Sequence, residues 1–328
     1  MKKIGFVIPY FGKLPSNGFK LWLLSCKANS TIDWLLYTDD YTKYDYPNNV
    51  KVKYCTLETI KNKAQKCFDF PISLEKPRKL CDFKAAYGEI FADDLKEYDF
   101  WGYCDIDLVW GDIRKFLTDE ILNKYDKIGY QGHCLLYKNT KEVVMRYRTN
   151  INGIINYKTV FSSPNEYCFD ENGMDDIYNA LGIEYFKETN FAHLEKYEYG
   201  FFLGHLPKKD DYKNKNQIFI WENGKILRKY VYNSKIITEE FMYIHFFCRP
   251  IKFNIRNYSM DNIFVMYPDI VENLDKKISI SYIINHSKNS ALHYYSTSIW
   301  YNRKKLTLKK ITENIIRMWK RKKSKKTN

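Results

Sequence analysis

Residues Ile4 to Ile8 form a nearly continuous apolar run that stops at Pro9 and Gly12, the pattern of a first strand buried on both faces of a parallel sheet. Leu21, Leu24 and Ala28 fall at helical spacing over Gly18 to Ala28, and Ile32-Asp-Trp-Leu-Leu-Tyr-Thr38 gives a second apolar strand that ends at paired acids. Val50 to Cys55 alternates as a third strand, and Leu57 to Cys67 reads as a short helix with lysines outward. A helix is predicted over Lys79 to Leu95, with Phe83, Ala86, Tyr87 and Ile90 on one face, leading into one long strand from Phe100 to Trp110. Ile113 to Tyr125 reads as helix, and Lys127 to Asn139 as another strand. Strands and helices alternate in this way over roughly the first 150 residues, which predicts an open α/β sheet.

Beyond it the pattern changes. Phe161 to Asn190 reads as loop and helix rich in acids. Gln217 to Tyr232 reads as a hairpin turning at Asn223-Gly224, and a strand ending in Arg249-Pro250 follows. Residues 251–302 are weakly patterned, and there is no internal repeat.

Composition narrows the class. A chain of 328 residues that is 45% apolar, with 29 Tyr and 21 Phe, buries a full core and is not a disordered or low-complexity polymer. Its eight cysteines stand singly, without metal-type spacing, and read as reduced thiols. The N-terminal apolar run is too short for a signal peptide, and no stretch approaches the roughly 20 apolar residues of a membrane span. The expected location is therefore the cytoplasm. The net charge of +14 suggests nucleic acid until its distribution is read: residues 303–328 carry twelve Lys or Arg and one Glu, leaving only +3 on residues 1–302.

The chemistry concentrates at Asp105-Ile106-Asp107. Two carboxylates inside an apolar run are costly unless they bind something. One residue apart on an extended strand, both point to one face. A hard cation, Mn²⁺ or Mg²⁺, completed by the oxygens of a diphosphate, satisfies such a pair.

The first strand IGFVIPYFG, the segment KPRKLCDFKAAYG, the strand FWGYCDIDLVWGDI and the late strand YIHFFCRPIKF together resemble the GT-A glycosyltransferases, in particular the bacterial capsule and surface-polysaccharide type. The resemblance covers residues 1 to about 253, and the DIDLVWGDI block is its most specific part. It implies a GT-A (Rossmann-like) mixed sheet flanked by helices, followed by a hairpin and a basic helical tail. It also implies a domain at 1–253, with a donor-binding half at 1–130 and an acceptor-side half at 131–253, then an extension at 254–302 and the tail at 303–328.

By the same resemblance, Pro9 and Tyr10 at the end of the first strand and Lys79, Asp82 and Lys84 on the helix before the aspartates face the donor, together with Asp105. His245 is expected as a third metal ligand beside Asp105 and Asp107. Arg249 and Lys252 lie near it in sequence and are candidates for the diphosphate. Asp170, Glu171, Asp175 and Asp176 occupy the loop where sugar and acceptor are expected, and are the candidate catalytic acids. A general base among them makes the enzyme inverting; carboxylates that only bind hydroxyls are compatible with retention. The arginine usual in the helix before the aspartates is absent: Lys79 and Lys84 stand there, with Arg78 shifted by one.

The implied reaction moves a sugar from a nucleotide sugar, a UDP-sugar foremost, to a glycan or lipid-linked acceptor in surface or capsular polysaccharide synthesis. Two other readings compete. A metal-dependent nucleotidyl or phosphoryl transferase also pairs aspartates on a strand, but neither GxxxxGK[ST] nor GxGxxG occurs. A nucleic-acid-binding protein would use the basic tail, against which the nearly neutral body counts. In that tail Leu308, Ile311, Ile315, Met318 and Trp319 fall at helical spacing among lysines and arginines, which predicts an amphipathic helix suited to an anionic membrane surface and a peripheral place on the inner membrane face.

Overall fold

Burial on both faces accounts for the first strand. In the computed structural model, which describes residues 1–188, 190–194, 216–247, 249 and 251–287, β1 (Ile4–Tyr10) lies inside a six-stranded sheet. Along the chain follow β2 (Ile32–Thr38), β3 (Val50–Tyr54), β4 (Phe100–Cys104), β5 (Leu108–Trp110), β6 (Lys127–Ile128) and β7 (Cys134–Lys138). The sheet runs β3-β2-β1-β4-β7-β6. Its first four strands are parallel, whereas β7 pairs antiparallel with both β4 and β6. Val7, Leu35, Tyr37, Trp101 and Leu135 face one core, and Ile4, Phe6, Ile8, Trp34 and Leu36 face another. Because both faces are covered, these strands read as apolar runs without alternation.

Helix Ser16–Ala28 lies over the second of these faces. Phe19 and Trp22 pack against Trp34 and its neighbours, while Leu21 and Leu24 reach into a third core shared with the C-terminal strands. The buried Asn29 ends this helix. Its amide donates to Ser25 O and Gly111 O at 3.0 and 2.8 Å, and its oxygen accepts from Ile113 N at 3.0 Å, which ties the helix end to the segment after β5.

The C-terminal part contributes β8 (Phe191–His193), β9 (Gln217–Glu222), β10 (Lys225–Tyr232), β11 (Lys235–Phe241), β12 (Tyr243–His245), β13 (Lys252–Asn254), β14 (Phe264–Met266) and β15 (Ile270–Asn273). One further six-stranded sheet runs β11-β10-β9-β14-β15-β13, and a three-stranded sheet runs β5-β12-β8. Asn223 and Gly224 turn β9 into β10 with φ of 49° and 73°, the left-handed pair that a type I′ hairpin requires.

Several expectations are corrected. The strand expected from Phe100 to Trp110 is two strands: the chain bends at Asp105 to Asp107, leaves the first sheet and enters the three-stranded one. The helix expected from Lys79 to Leu95 is a chain of single turns, Leu80–Phe83, Tyr87–Ile90 and Ala92–Leu95, with 3-10 segments at Pro77–Lys79 and Lys84–Ala86. The bridge-region backbone at Ala86 and Phe91 interrupts it, while Phe83, Ala86, Tyr87 and Ile90 are buried as the periodicity required. Within it Gly88 lies against the Trp101 indole, where a Cβ would come to 2.5 Å. Ile113 to Tyr125 divides at Thr118, whose hydroxyl caps a new helix at Asp119–Lys124. The strand expected over Lys127 to Asn139 is the antiparallel pair β6 and β7. The late strand is likewise two: β11, turned back from β10 by the left-handed pair Asn233 and Ser234, ends at Phe241, and after a bend at Met242 the chain continues as β12 in a different sheet.

Residues 252–273, weakly patterned in sequence, supply the three strands that complete the hairpin's sheet. The basic tail lies outside the described residues.

Candidate functional site

The site is built where one run of chain changes sheets. Cys104 is the last residue of β4, and Asp105 N–H donates to His133 O at 2.9 Å across the gap to β7. Two residues later Asp107 O accepts from Phe246 N at 2.9 Å, which locks the chain onto β12 as β5 begins. Both ends of the Asp-Ile-Asp bend are thus held by main-chain hydrogen bonds to different sheets. Ile106 is buried between them and turns the two carboxylates outward, half-buried. In β12, His245 pairs with Leu108 of β5 on one side and His193 of β8 on the other.

The result is a convergence of Asp105, Asp107 and His245, with ligand-type atoms all within 4.8 Å of one another. His245 Nε2 lies 3.2 Å from Asp107 Oδ1, and its ring is 4% exposed. Two carboxylates and an imidazole form a donor set that fits Mn²⁺, and Mg²⁺ with water and phosphate oxygens added.

Lys84 Nζ bonds Asp105 Oδ1 at 3.0 Å and Gly132 O at 2.7 Å, and stands 3.8 Å from Asp170 Oδ2. Burial opposes its charge, but the carboxylates of Asp105 and Asp170 hold the ammonium well above the usual lysine range. Asp170 is the second residue of a single π-helical turn, Phe169–Gly173, entered through Cys168 at a left-handed φ of 52°. Burial pushes the Asp170 carboxyl up to about 7, with Lys84 opposing and the Glu171 and Asp105 charges adding. Glu171 Oε1 accepts from Gly132 N at 2.7 Å. A Cβ on Gly132 would lie 2.6 Å from both the Asp170 and Glu171 carboxylate oxygens, so only glycine lets these acids approach the chain there. One cation therefore links the aspartate bend to the acidic turn.

The other sequence-derived candidates are placed as follows. Pro9 and Tyr10 end β1, half-buried. Lys79 and Asp82 form a pair at 2.8 Å, 4% and 1% exposed. All three Lys79 donors are taken, by Asp82, by Val160 O and by Asn165 O, and Asp82 accepts the backbone N–H groups of Tyr167 and Phe169. The pair pins the loop that delivers Asp170. Asp175 bonds the buried Lys127, and Asp176 is exposed on helix Met174–Ala180. Lys252 is exposed on β13, and no hydrogen bond or ion pair joins its side chain to the cluster among the described residues. Arg249 is buried, its Nε donating to Pro268 O.

Two residues absent from the sequence-derived set belong to this neighbourhood. His193 Nδ1 lies 3.0 Å from His245 Nδ1, and the His133 ring stacks on His245 with centroids 4.1 Å apart. Tyr243 OH lies 3.0 Å from His133 Nε2. The available signal was Phe-Ala-His at 191–193 beside Tyr-Ile-His at 243–245: both place a histidine at the end of a short apolar strand.

Fold and site define a mixed α/β protein in which acidic and imidazole side chains converge at the end of a central strand. The chain belongs to the family of unknown function DUF6625, whose model matches residues 6–275. No curated protein matches it. Among solved structures it is similar to the galactosyltransferase LgtC in complex with donor and acceptor sugar analogs, at 14% identity over 58% of this chain and 75% of that one, with a TM-score of 0.33. An active-site mutant of LgtC matches at 13% identity, over 76% of this chain and 88% of that one, with a TM-score of 0.38. Mouse xyloside xylosyltransferase 1 in its apo form matches at 12% identity, over 59% and 88%, with a TM-score of 0.37.

Proposed function

We propose that this chain is a metal-dependent glycosyltransferase that takes a sugar from a nucleotide-sugar donor, a UDP-sugar foremost. The observation that carries the reading is the convergence of Asp105, Asp107 and His245 at the bend after β4, a carboxylate and imidazole set matched to a divalent cation. Mn²⁺ or Mg²⁺ held there supplies positive charge to a departing diphosphate.

The chain's own groups account for the rest. Lys84 adds a fixed ammonium beside Asp105, in a partly water-excluded place where such charge is most effective on a developing anion. Pro9 and Tyr10 border the donor nucleotide at the end of β1, and Lys79 with Asp82 holds the loop that carries the acids. Asp170 and Glu171 lie across Lys84 from Asp105 and face the sugar, Asp170 with a proton affinity set for exchange near neutral pH. Asp175 and Asp176, one turn further on, line the acceptor side, with Arg249 and Lys252 toward the diphosphate. The acceptor is a glycan or lipid-linked sugar of surface or capsular polysaccharide synthesis. The basic tail docks the enzyme on anionic lipid at the inner membrane face; no helix among the described residues is long and apolar enough to cross a membrane.

The test is nucleotide release from a panel of UDP-, GDP- and TDP-sugars with and without Mn²⁺. Release from one or a few donors, abolished by EDTA, is expected. Release from none of them, together with phosphoryl or nucleotidyl transfer from a nucleoside triphosphate, contradicts the proposal.

A further inference from the structure

We infer that His193 is a positioning residue whose Nδ1 adapts His245 to the empty and the metal-bound site by exchanging donor and acceptor roles with it. The inference rests on the proposed metal reading for its purpose, and on the ladder for its geometry. The β8 and β12 strands pair in parallel with His193 directly opposite His245, so their rings are held side by side and both residues are buried. Slipping either strand by one residue would turn its histidine to the opposite face.

The ring of His245 has two nitrogens and both are committed. Nε2 faces Asp107 Oδ1 at 3.2 Å and Nδ1 faces His193 Nδ1 at 3.0 Å, while His133 covers the ring face. With no cation present, Nε2 beside a carboxylate is best protonated, and Nδ1 then accepts a proton-bearing His193 Nδ1. A cation on Nε2 requires that nitrogen's lone pair, so the His245 proton must sit on Nδ1 and donate to His193 Nδ1, whose own proton moves to its Nε2. Each ring carries one proton in both states, and metal binding releases none from the pair. A backbone carbonyl or carboxylate opposite Nδ1 serves only the second state, because it accepts and never donates. Imidazole serves both.

The experiment uses the full chain. Ring ¹⁵N NMR in the absence of metal and at saturating Mg²⁺ reads the tautomers, and calorimetric titration with Mn²⁺ reads affinity in the unaltered chain, His193→Asn and His193→Phe. Expected are His245 protonated at Nε2 without metal and at Nδ1 with it. His193→Asn, whose amide can turn either end toward His245, keeps affinity within about threefold, whereas His193→Phe weakens it by about 10 to 100-fold. An unchanged His245 tautomer on binding, or a folded His193→Phe chain with undiminished affinity, overturns the inference. So does binding of two ions per chain that drops to one in His193→Phe, because His193 is then a ligand. If His193→Phe does not fold, the tautomers of the unaltered chain decide. Absence of any Mg²⁺ or Mn²⁺ binding overturns the metal reading itself, and is distinguishable from binding with unchanged tautomers.

Discussion

Replacing Lys84 by Met removes the cation that links the aspartate bend to the acidic turn and keeps the bulk of the side chain. The Lys84 side chain is 11% exposed, and its ammonium lies 3.0 Å from Asp105 and 3.8 Å from Asp170. Unscreened attractions at such distances reach about 4 to 6 kcal/mol each at an effective dielectric near 20, and the cost of drying the charges offsets much of this. Breaking a buried pair costs about 3 to 5 kcal/mol; with Asp105 40% exposed, about half of that is retained, ~2 kcal/mol. For a chain of this size ~2 kcal/mol lowers Tm by about 3 °C.

The loss depends on pH with a definite sign. Asp170 is raised in the folded chain from 3.8 to about 7, so the folded state holds the proton more tightly, and the stability this confers is full below pH 3.8 and lost as pH rises through 7. At pH 5 Asp170 carries its proton and needs no cation; at pH 8 it is charged and does. The Lys84→Met deficit, read by thermal denaturation in metal-free buffer, is therefore expected to be larger at pH 8 than at pH 5. An equal deficit at both pH values, or none, refutes this account of the cluster.

Asp82→Asn leaves the Lys79 ammonium buried without its counter-charge and is expected to cost about 3 kcal/mol or more in denaturant unfolding, with the double change Lys79→Met and Asp82→Leu costing less than the single one. Gly132→Ala drives a methyl group into Asp170 and Glu171, and nucleotide release is expected to fall by at least about tenfold; unaltered turnover removes the acidic turn from the site. A chain ending at Asn302 is expected to lose sedimentation with anionic liposomes, each basic residue near the lipid contributing about 1 kcal/mol; equal pelleting ends the membrane proposal.

Much of the first sheet was legible because its cause is local. Ile4 to Ile8 and Ile32 to Thr38 are apolar runs of strand length, and burial on both faces is what such runs record. Asn223-Gly224 announced its hairpin because few other residues adopt two left-handed positions in a row. The bend at Asp105 to Asp107 was not legible as a bend. Phe100 to Trp110 is one apolar run in sequence, and what divides it is Asp105 N–H finding His133 O and Phe246 N–H finding Asp107 O, partners about 30 and 140 residues away. The contribution of His193 was hidden for the same reason, since a ladder register is a long-range property. Lys79 and Lys84 looked equivalent in sequence; the fold commits one to Asp82, Val160 O and Asn165 O and turns the other to Asp105.

The metal requirement at Asp107 is the most direct point of test. Turnover of the preferred donor is measured for the unaltered chain and for Asp107→Asn, each across a Mn²⁺ titration and in EDTA, with circular dichroism to establish that both are folded. The expected result is turnover that vanishes in EDTA and falls by at least ~10²-fold in a folded Asp107→Asn chain, with partial recovery at high Mn²⁺. Turnover that persists in EDTA, or a folded Asp107→Asn enzyme as active as the unaltered chain, contradicts it.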